Sequence, residues 1–291
     1  CLFATAEKPK LGLAVTVAAG VTNMALDALF VGAFRWGVVG AAAATAFSQV
    51  VGGVIPLIYF ARENSSLLRL TRCAFDGRAL LAACSNGASE LMSNISMSVV
   101  SMLYNGQLMA KAGEDGVAAY GVLMYVSLVF QAIFIGYAVG TAPVVGYHYG
   151  AGNQGELKGL LRRSAALIGG FSAAMCLAGE TLGRPLSVIF VGYDPDLLDM
   201  TAHAFAIFSV SFLFSGFAIF GSSFFTALND GLTSALISFL RTLVFQCAAV
   251  IVFPIFWGLD GIWWSIVAAE VMAVAVTLVF LAVKRKRYGY A

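Results

Sequence analysis

The sequence predicts an all-α, polytopic membrane protein, and three observations support that fold class. First, 60% of the 291 residues are hydrophobic and only 11% are charged, whereas soluble domains carry about 25% charged residues. Second, the mean hydropathy is +0.88, and several apolar stretches reach the length of about 20 residues that a membrane-spanning helix needs. Third, these stretches are too long and too rich in Ala, Leu and Gly to be the alternating strands of a membrane barrel.

Eight membrane-spanning helices are predicted, and Lys and Arg are distributed unevenly between their two ends. Thirteen basic residues fall on the side that holds both ends of the chain, and only three fall on the other side. The positive-inside rule therefore places both chain ends in the cytoplasm. We expect residues 184–199 to lie along the outer interface, because Pro185 and Pro195 disfavour a further span. The predicted spans are 11–33, 38–60, 79–110, 116–146, 160–180, 200–227, 232–256 and 261–283.

Two of the predicted helix hairpins, residues 11–60 and 232–283, have similar sequences. A shift of 221 residues places Gly37 on Gly258, and both hairpins end in basic residues. Duplication of a bundle of membrane helices is typical of secondary transporters. Because only the second copy is preceded by four other helices, we expect roughly four more helices, about 145 residues, to precede Cys1.

The longest polar break divides the chain into two parts. Residues 61–78 are predicted to be a cytoplasmic linker between two helix bundles. Residues 1–60 would then be the last two helices of a first six-helix bundle, and residues 79–291 a complete second six-helix bundle.

Composition and spacing exclude several classes of function. The net charge of +2 gives no reason to expect nucleic-acid binding, and the five cysteines lack the paired spacing of a metal site. The Gly-rich segment 146–153 follows a membrane helix and not a strand, so it is not a nucleotide-binding loop. No nucleophile is accompanied by a base or a His/Asp cluster. We therefore predict that the protein is not an enzyme and uses no cofactor.

Asp27 is the most informative charged residue within a predicted span. Asn23 precedes it by four residues, so both share one helix face. Thr45 lies across the turn at about the same depth, roughly 13 Å from the turn by helical rise. A carboxylate, an amide and a hydroxyl at one depth would suit a hard cation such as Na⁺, and the carboxylate could equally take a proton. The alternative is a structural role, in which Asp27 makes a polar contact with a neighbouring helix and helps the two helices to pack.

The second hairpin provides an internal comparison for these three positions. The equivalent residues there are Val244, Ala248 and Ile266. If the polar groups were needed for packing alone, the second copy should keep some of them. Their absence indicates that the first hairpin is chemically specialised.

A second polar feature is the helix that carries Glu90. A polar stripe in a membrane helix faces either partner helices or water, and we expect this one to line a water-accessible cleft between the bundles. Gln131, on the next helix, could line the same cleft or make a structural hydrogen bond that holds helices together. The candidate cavity residues are Glu90, Ser93, Asn94, Ser98, Asn105 and Gln131.

Two further charged residues, Arg241 and Glu270, lie inside predicted spans. A structural ion pair between them and a functional role for either residue are both open alternatives at this point.

Several segments resemble the multidrug and toxin extrusion (MATE) family. NMALDALFV (residues 23–31) followed by GVVGAAAATAFSQ (37–49) resembles the fifth and sixth helices of that family. GYAVGTAPVVGYHYGAGN (136–153) resembles its eighth helix and the loop after it, and FFTALNDGLTSALISFLRTLVF (224–245) resembles the end of its tenth helix and its eleventh. The resemblance covers nearly the whole chain.

This resemblance implies twelve helices in two six-helix lobes, of which the chain would contain the last eight. It also implies that Asn23, Asp27 and Thr45 take part in binding the coupling cation. A further Asp on the family's first helix belongs to that site, and this chain lacks that helix. Asn105 stands where the second lobe's copy of that Asp would be, which fits a second lobe without its own copy of the site.

The resemblance therefore implies a secondary antiporter of a prokaryotic cytoplasmic membrane that exports organic cations or drugs in exchange for Na⁺ or H⁺. The alternative is a lipid-linked precursor flippase of the same superfamily, which would need a cavity richer in Arg and Lys. The expected partners are small organic cations and the lipid bilayer, without nucleic acid, and the full-length protein is expected to be monomeric. The substrate and the choice between Na⁺ and H⁺ stay open.

Overall fold

Helices make up almost all of the computed structural model, which describes residues 2–62 and 76–290. No strand occurs within these two ranges, and the predicted all-α fold class is confirmed. Most of the predicted linker, residues 63–75, lies outside the described residues. The α-helices are α1 (Leu2–Thr5), α2 (Pro9–Asp27), α3 (Gly37–Ala61), α4 (Gly77–Asn86), α5 (Ala88–Gly150), α6 (Gln154–Val191), α7 (Pro195–Ser209), α8 (Phe212–Ala227), α9 (Gly231–Phe239) and α10 (Gln246–Tyr288). Two π-helical segments, Ala28–Ala33 and Leu240–Phe245, follow α2 and α9.

The chain divides into two compact units, Cys1–Asp76 and Gly77–Ala291. In the first unit, α2 and α3 pack against each other. A Cβ atom added at Gly52 of α3 would lie 3.3 Å from the Cβ of Ala19 on α2, so the two helices approach closely. The assignment of the two units to lobes of a larger protein stays a prediction.

Both hairpins turn at a glycine with a similar positive φ. Gly37 has a φ of 57° and Gly258 a φ of 59°, values in the left-handed region that residues with a Cβ adopt reluctantly. A tryptophan precedes each of them, Trp36 in the first hairpin and Trp257 in the second. The similarity between the two hairpin sequences therefore extends to the geometry of the turn.

The core of the second unit is built on the inward face of α5. Val100, Tyr104 and Leu108 recur once per helical turn on that face, and all three are buried. The Tyr104 ring stacks on Tyr120 at a centroid distance of 5.3 Å, and its hydroxyl lies 2.7 Å from Oγ of Ser265 on α10. This contact joins the first and last long helices of the unit.

Small residues let α6 and α7 approach closely. A Cβ at Gly179 would come within 2.6 Å of the Ser209 Cβ, and one at Gly183 within 2.8 Å of the Phe205 ring. Two glycines four residues apart form the spacing that membrane helices use for close contact, where dispersion replaces the hydrophobic effect as the main attraction. Substitution of either glycine would therefore force the two helices apart.

By length and composition, five helical segments in the described ranges could cross a membrane, and α7 with α8 could form a sixth, bent by 50°. Two of the five, Asn94–Gly150 and Gly231–Tyr288, contain 57 and 58 residues. Each is about 86 Å of helix by rise, far longer than the bilayer core of about 30 Å. Both are interrupted at a glycine with positive φ, Gly113 or Gly258. Division at these glycines matches the predicted spans, and the total of eight crossings stays a prediction.

Helical structure extends well beyond the predicted span 160–180, and the interfacial location of residues 184–199 stays a prediction. Helix α6 continues without a break to Val191, through Pro185, and only residues 192–194 separate it from α7. Proline removes one backbone hydrogen bond, but membrane helices tolerate it because neighbouring helices and hydroxyl side chains satisfy the freed carbonyl. The stop signal that proline gives in water is therefore weaker here.

An ion pair between Arg241 and Glu270 is buried in the second unit. Nε of Arg241 lies 3.1 and 3.0 Å from the two carboxylate oxygens, and Nη2 lies 2.8 Å from Oε1. Only 15% of the Arg241 side chain and 5% of the Glu270 side chain are exposed. This bidentate geometry supports the structural alternative for the pair, because each charge compensates the other within the apolar core.

Asp230 joins the start of α9 to the end of α10. Its carboxylate caps α9 by accepting hydrogen bonds from the backbone N–H and the hydroxyl of Thr233, at 3.3 and 2.7 Å. It also accepts from Nζ of Lys284 at 2.9 Å and from the Tyr288 hydroxyl at 2.8 Å. Beyond them Tyr290 is buried, and its hydroxyl donates to the Leu281 carbonyl at 3.0 Å. The last residues described are therefore part of the packed structure.

We expect Glu270→Gln to destabilise the protein, because Arg241 would keep a buried charge without its counter-charge. Loss of one partner of a buried pair costs about 3–5 kcal/mol. The matched control is Asp199→Asn, which breaks an ion pair with Arg184 whose side chains are about 70% exposed and should change little. The measurement is thermal unfolding of both purified variants in detergent, and equal midpoints for Glu270→Gln and wild type would contradict the expectation.

Asp230 should make stability depend on pH in the acid range. Burial raises the pKa of Asp230, but the hydrogen bonds from Lys284, Thr233 and Tyr288 outweigh burial and lower it from 3.8 to about 2. The pKa of Asp230 is lower in the folded protein than in the unfolded protein. The stabilising contribution of its carboxylate is therefore complete above about pH 4 and is lost as the pH falls towards about 2. Asp230→Asn should therefore unfold more easily at neutral pH and lose less stability on acidification. Parallel midpoint-versus-pH curves for the two proteins would contradict this.

Candidate functional site

Asn23 and Asp27 form the centre of the candidate site in the first unit. They lie on the last two turns of α2, one turn apart, and both side chains are half-buried. Nδ2 of Asn23 and Oδ1 of Asp27 are buried atoms, and neither has a hydrogen-bond partner among the described residues. Buried polar atoms in folded proteins are nearly always satisfied. Two unsatisfied buried atoms on one helix face therefore mark a candidate binding site.

The backbone changes conformation directly after Asp27. The segment Ala28–Ala33 is π-helical, with one more residue per hydrogen-bonded turn than an α-helix, and such segments are frequent at functional sites. Phe30 on this segment stacks on Trp36 at a centroid distance of 5.1 Å. The wider turn and the aromatic contact thus lie between Asp27 and the hairpin turn.

The structure does not bring Thr45 into hydrogen-bonding contact with these two residues. Its side chain is exposed, and its hydroxyl donates to the carbonyl of Ala41 at 3.0 Å. Ser48, one turn further along α3, is buried and donates to the Thr45 carbonyl at 2.8 Å. Thr45 still has free lone pairs, so its hydroxyl could accept a further contact while it donates to Ala41.

The donor set around Asp27 fits a monovalent cation or a proton better than a transition metal. Within the described ranges, no group of three or more His, Cys, Asp and Glu residues could hold a metal ion. The carboxylate of Asp27 and the amide oxygen of Asn23 are oxygen ligands, which hard cations prefer. Rotation of the Asn23 amide by 180° would place its oxygen, which can bind a cation, where Nδ2 now lies.

The polar face of α5 lies opposite its buried face. Asn94 and Ser98 are exposed and Asn105 is half-buried, whereas Ser96 is buried on the core side. This arrangement leaves much of the predicted stripe outside the core of the second unit. The side chains of Glu90 and Ser93 lie outside the described ones.

Gln131 is turned towards its own helix. Its Nε2 donates to Oγ of Ser127, one turn earlier on α5, at 2.9 Å, and Ser127 is buried. This contact is the one expected of an amide that stabilises a helix in an apolar environment.

Two polar contacts were missed by the sequence analysis. Ser209 Oγ donates to Oε1 of Glu180 at 2.5 Å, and Nε2 of His203 lies 3.1 Å from Oδ1 of Asp260. Glu180 was overlooked because the predicted span ended there, whereas α6 continues for another three turns. Asp260 was assigned to the loop between two spans, and a carboxylate in a loop gives no signal in a hydropathy pattern.

The sequence is similar to known multidrug export proteins. It is 22% identical over 280 residues to the multidrug export protein MepA of Staphylococcus aureus strain MSSA476, with 96% of this chain and 61% of that protein covered. It is 24% identical over 280 residues to MepA of Staphylococcus saprophyticus, with the same two coverages. The chain thus spans about 61% of the length of these relatives.

Solved structures of similar fold are transporters. A crystal structure of MATE in complex with MaL6 matches with a TM-score of 0.88 at 22% identity, covering 95% of this chain and 63% of that one. An outward-facing multidrug resistance MATE family transporter of the MOP superfamily matches with a TM-score of 0.87 at 22% identity, covering 95% and 62%. A mutant of the Vibrio cholerae MATE transporter VcmN matches with a TM-score of 0.83 at 19% identity, covering 99% and 65%.

A sequence model of the MatE family matches residues 90–252, which is more than half of the chain. This match agrees with the helical fold, with the long apolar segments and with both sets of relatives. The chain therefore belongs to the MatE family of multi-pass membrane transporters, which are not enzymes.

Proposed function

We propose that this chain is part of a secondary antiporter that exports organic cations or drugs in exchange for Na⁺ or H⁺. Membership of the MatE family and the similarity to multidrug export proteins support the class of activity. The coupling ion would bind at Asp27, with both chain ends in the cytoplasm.

The observation that carries this proposal is the pair of unsatisfied buried atoms on Asn23 and Asp27. A carboxylate at membrane depth is costly unless a partner compensates its charge. No basic side chain forms an ion pair with Asp27 in the described part of the chain. A bound cation or a proton would compensate it, and either could leave again when the conformation changes.

The exchange of ion for substrate follows if each of them binds one conformation of the transporter more tightly than the other. A coupling ion shifts a conformational equilibrium only if it binds one state more tightly than the other. Ion and substrate can therefore drive each other in opposite directions without sharing a contact, provided that they favour different states. The π-helical segment after Asp27 is a rare conformation that is frequent at functional sites, which makes it a suitable element for such a change.

The polar face of α5 is proposed to line the substrate path. Asn94, Ser98 and Asn105 would offer hydrogen bonds to a substrate or to water, while the opposite face holds the helix in the core. Gln131 contributes less to this proposal than the sequence suggested, because its amide donates to Ser127.

The flippase alternative loses its main support. It would need a cavity rich in Arg and Lys, and the one basic residue found in the middle of a predicted span, Arg241, has its guanidinium held by both carboxylate oxygens of Glu270. A guanidinium in a bidentate pair has its favourable donors occupied and its charge compensated.

In the full-length protein, Asp27→Asn should abolish cation-driven efflux and leave insertion into the membrane unchanged, because the amide has the shape of the carboxylate without its charge. Dye efflux from energised vesicles, measured separately with a Na⁺ gradient and with a pH gradient, would also identify the ion. Thr45→Ala should reduce efflux less, since Thr45 is exposed and hydrogen-bonded to Ala41, and Asp199→Asn serves as a control. Undiminished efflux with Asp27→Asn would rule out the site.

The polar face of α5 can be tested with single cysteines. A cysteine at Ser98 or Ser101 should react with a membrane-impermeant thiol reagent, and substrate should slow the reaction. A cysteine at Ser96 is the matched control, because that side chain is only 2% exposed, and it should stay unmodified. Equal reactivity at Ser96 and Ser98, or none at Ser98 and Ser101, would show that the face is not a water-accessible path.

A further inference from the structure

The span formed by α7 and α8 is broken, and a carboxyl group lies at the break. The two helices meet at an angle of 50°, and only Val210 and Ser211 separate them. Ser209, the last residue of α7, is fully buried, and its hydroxyl lies 2.5 Å from Oε1 of Glu180 on α6. Neither the proposed coupling site nor the polar face of α5 makes use of Glu180.

The position of Glu180 along α6 places it close to one surface of the bilayer. It follows Arg163 by 17 residues, which is about 26 Å of helix by rise. With Arg163 at one surface, the carboxyl therefore lies just inside the other surface of a hydrocarbon core of about 30 Å. At that depth a charge is unfavourable, while water, from which a proton can arrive, is only about one helical turn away.

The hydrogen bonds at the break require more hydrogens than Ser209 can supply. In an unbroken α-helix the N–H of Val210 would donate to the carbonyl of Ala206. Here it donates to the carbonyl of Ile207 at 3.3 Å, and the Ser209 hydroxyl lies 2.8 Å from the Ala206 carbonyl instead. A hydroxyl has one hydrogen, so Ser209 cannot donate fully to both Glu180 and Ala206.

The protonation state of Glu180 decides which acceptor receives this hydrogen. An ionised carboxylate is the stronger acceptor, so it takes the hydrogen of Ser209 and leaves the Ala206 carbonyl without a donor. A protonated carboxyl group instead donates its own hydrogen to Ser209, and Ser209 then donates to Ala206. Every polar group at the break is satisfied in the second case, as buried polar groups in folded proteins nearly always are.

The two halves of the broken span are held by different contacts. Helix α7 packs closely against α6, where a Cβ at Gly179 would lie 2.6 Å from the Ser209 Cβ. Helix α8 packs against α5, where a Cβ at Gly216 would lie 2.6 Å from the Phe134 ring. A change in the bend therefore requires new backbone hydrogen bonds at the break, and it can leave both packed halves as they are.

We propose that Glu180 is a proton-binding residue that stabilises the break between α7 and α8 when it is protonated and loosens the break when it is ionised. The ligand of this site is a proton from the nearer membrane surface. The second unit thus contains a proton-sensitive hinge of its own. This inference does not depend on ion binding at Asp27.

Few other charges can act on Glu180. Among the described residues it forms no ion pair, and α8 contains no charged residue. On α6, Cys176 lies one turn before it and Arg184 one turn after it, but Arg184 is bound to Asp199 at 3.3 Å. The other titratable or charged residues on the elements packed against this end of α6 are Lys111, Glu114 and Asp115 near the break of α5, and Asp194, Asp196 and His203 on or next to α7.

The hinge can be tested by hydrogen–deuterium exchange of the whole chain in detergent micelles, followed in the peptide that covers residues 206–214. After correction for the intrinsic effect of pH, wild type should exchange several-fold faster at about pH 9 than at about pH 6. Glu180→Gln and Glu180→Ala should exchange slowly at both pH values, because neither side chain takes the hydrogen of Ser209 as a carboxylate does. Ser209→Ala should exchange fast at both, because the Ala206 carbonyl then has no donor.

The opposite effects of Glu180→Ala and Ser209→Ala distinguish a hinge from a purely structural contact, whose loss would speed exchange in both variants. Faster exchange in Glu180→Ala would therefore overturn the proposal, and so would equal wild-type exchange at the two pH values. His203→Gln is the control for the histidine on α7 and should keep the wild-type pH dependence, whereas loss of that dependence would assign the effect to His203 and overturn the proposal.

Two further controls keep the result interpretable. Size-exclusion profiles check that each variant is folded, and the two substitutions at Glu180 test the same point independently. Asp27→Asn should keep the wild-type pH dependence, so that failure of the coupling site and failure of the hinge give different results.

Discussion

A charge within the hydrocarbon of a bilayer must be compensated, and the two units meet this requirement differently. In the second unit compensation is internal, because Arg241 and Glu270 hold each other in a bidentate pair inside the core. In the first unit Asp27 has only an amide, Asn23, on the same helix face, and one oxygen of its carboxylate is unsatisfied in the described structure. The compensated pair belongs to a packed core, whereas the uncompensated carboxylate of Asp27 is consistent with the ion site proposed there.

The sequence predicted the shared helix face of Asn23 and Asp27 better than it predicted the position of Thr45. Residues four apart on one helix share a face whatever the surroundings, and both side chains do present buried atoms. The depth of Thr45 follows from helical rise, but depth leaves the rotation of α3 about its own axis undetermined. The structure has Thr45 exposed and Ser48 buried, so it is the rotation of α3 that the sequence could not predict.

Helix ends were harder to predict than helix positions, again for a physical reason. In water, proline and polar residues end helices because solvent competes for the backbone hydrogen bonds; in lipid that competition is absent. Helix α6 therefore passes through Pro185, and Glu180 lies inside it instead of at its end. The glycines at which the hairpins turn were identified from the repeat, since a positive φ leaves a recognisable residue. The pair of Asp260 with His203 joins residues 57 positions apart and leaves no local pattern.

The packing of Gly289 and Tyr290 has a practical consequence for handling the protein. Gly289 has a positive φ of 68° and lies against Gln154, and Tyr290 is only 2% exposed. A peptide fused directly after this residue would start from within packed side chains and next to the Asp230 cluster, instead of from a free surface. Affinity tags or fluorescent reporters joined there would need a spacer, and their attachment could alter folding yield independently of any effect on transport.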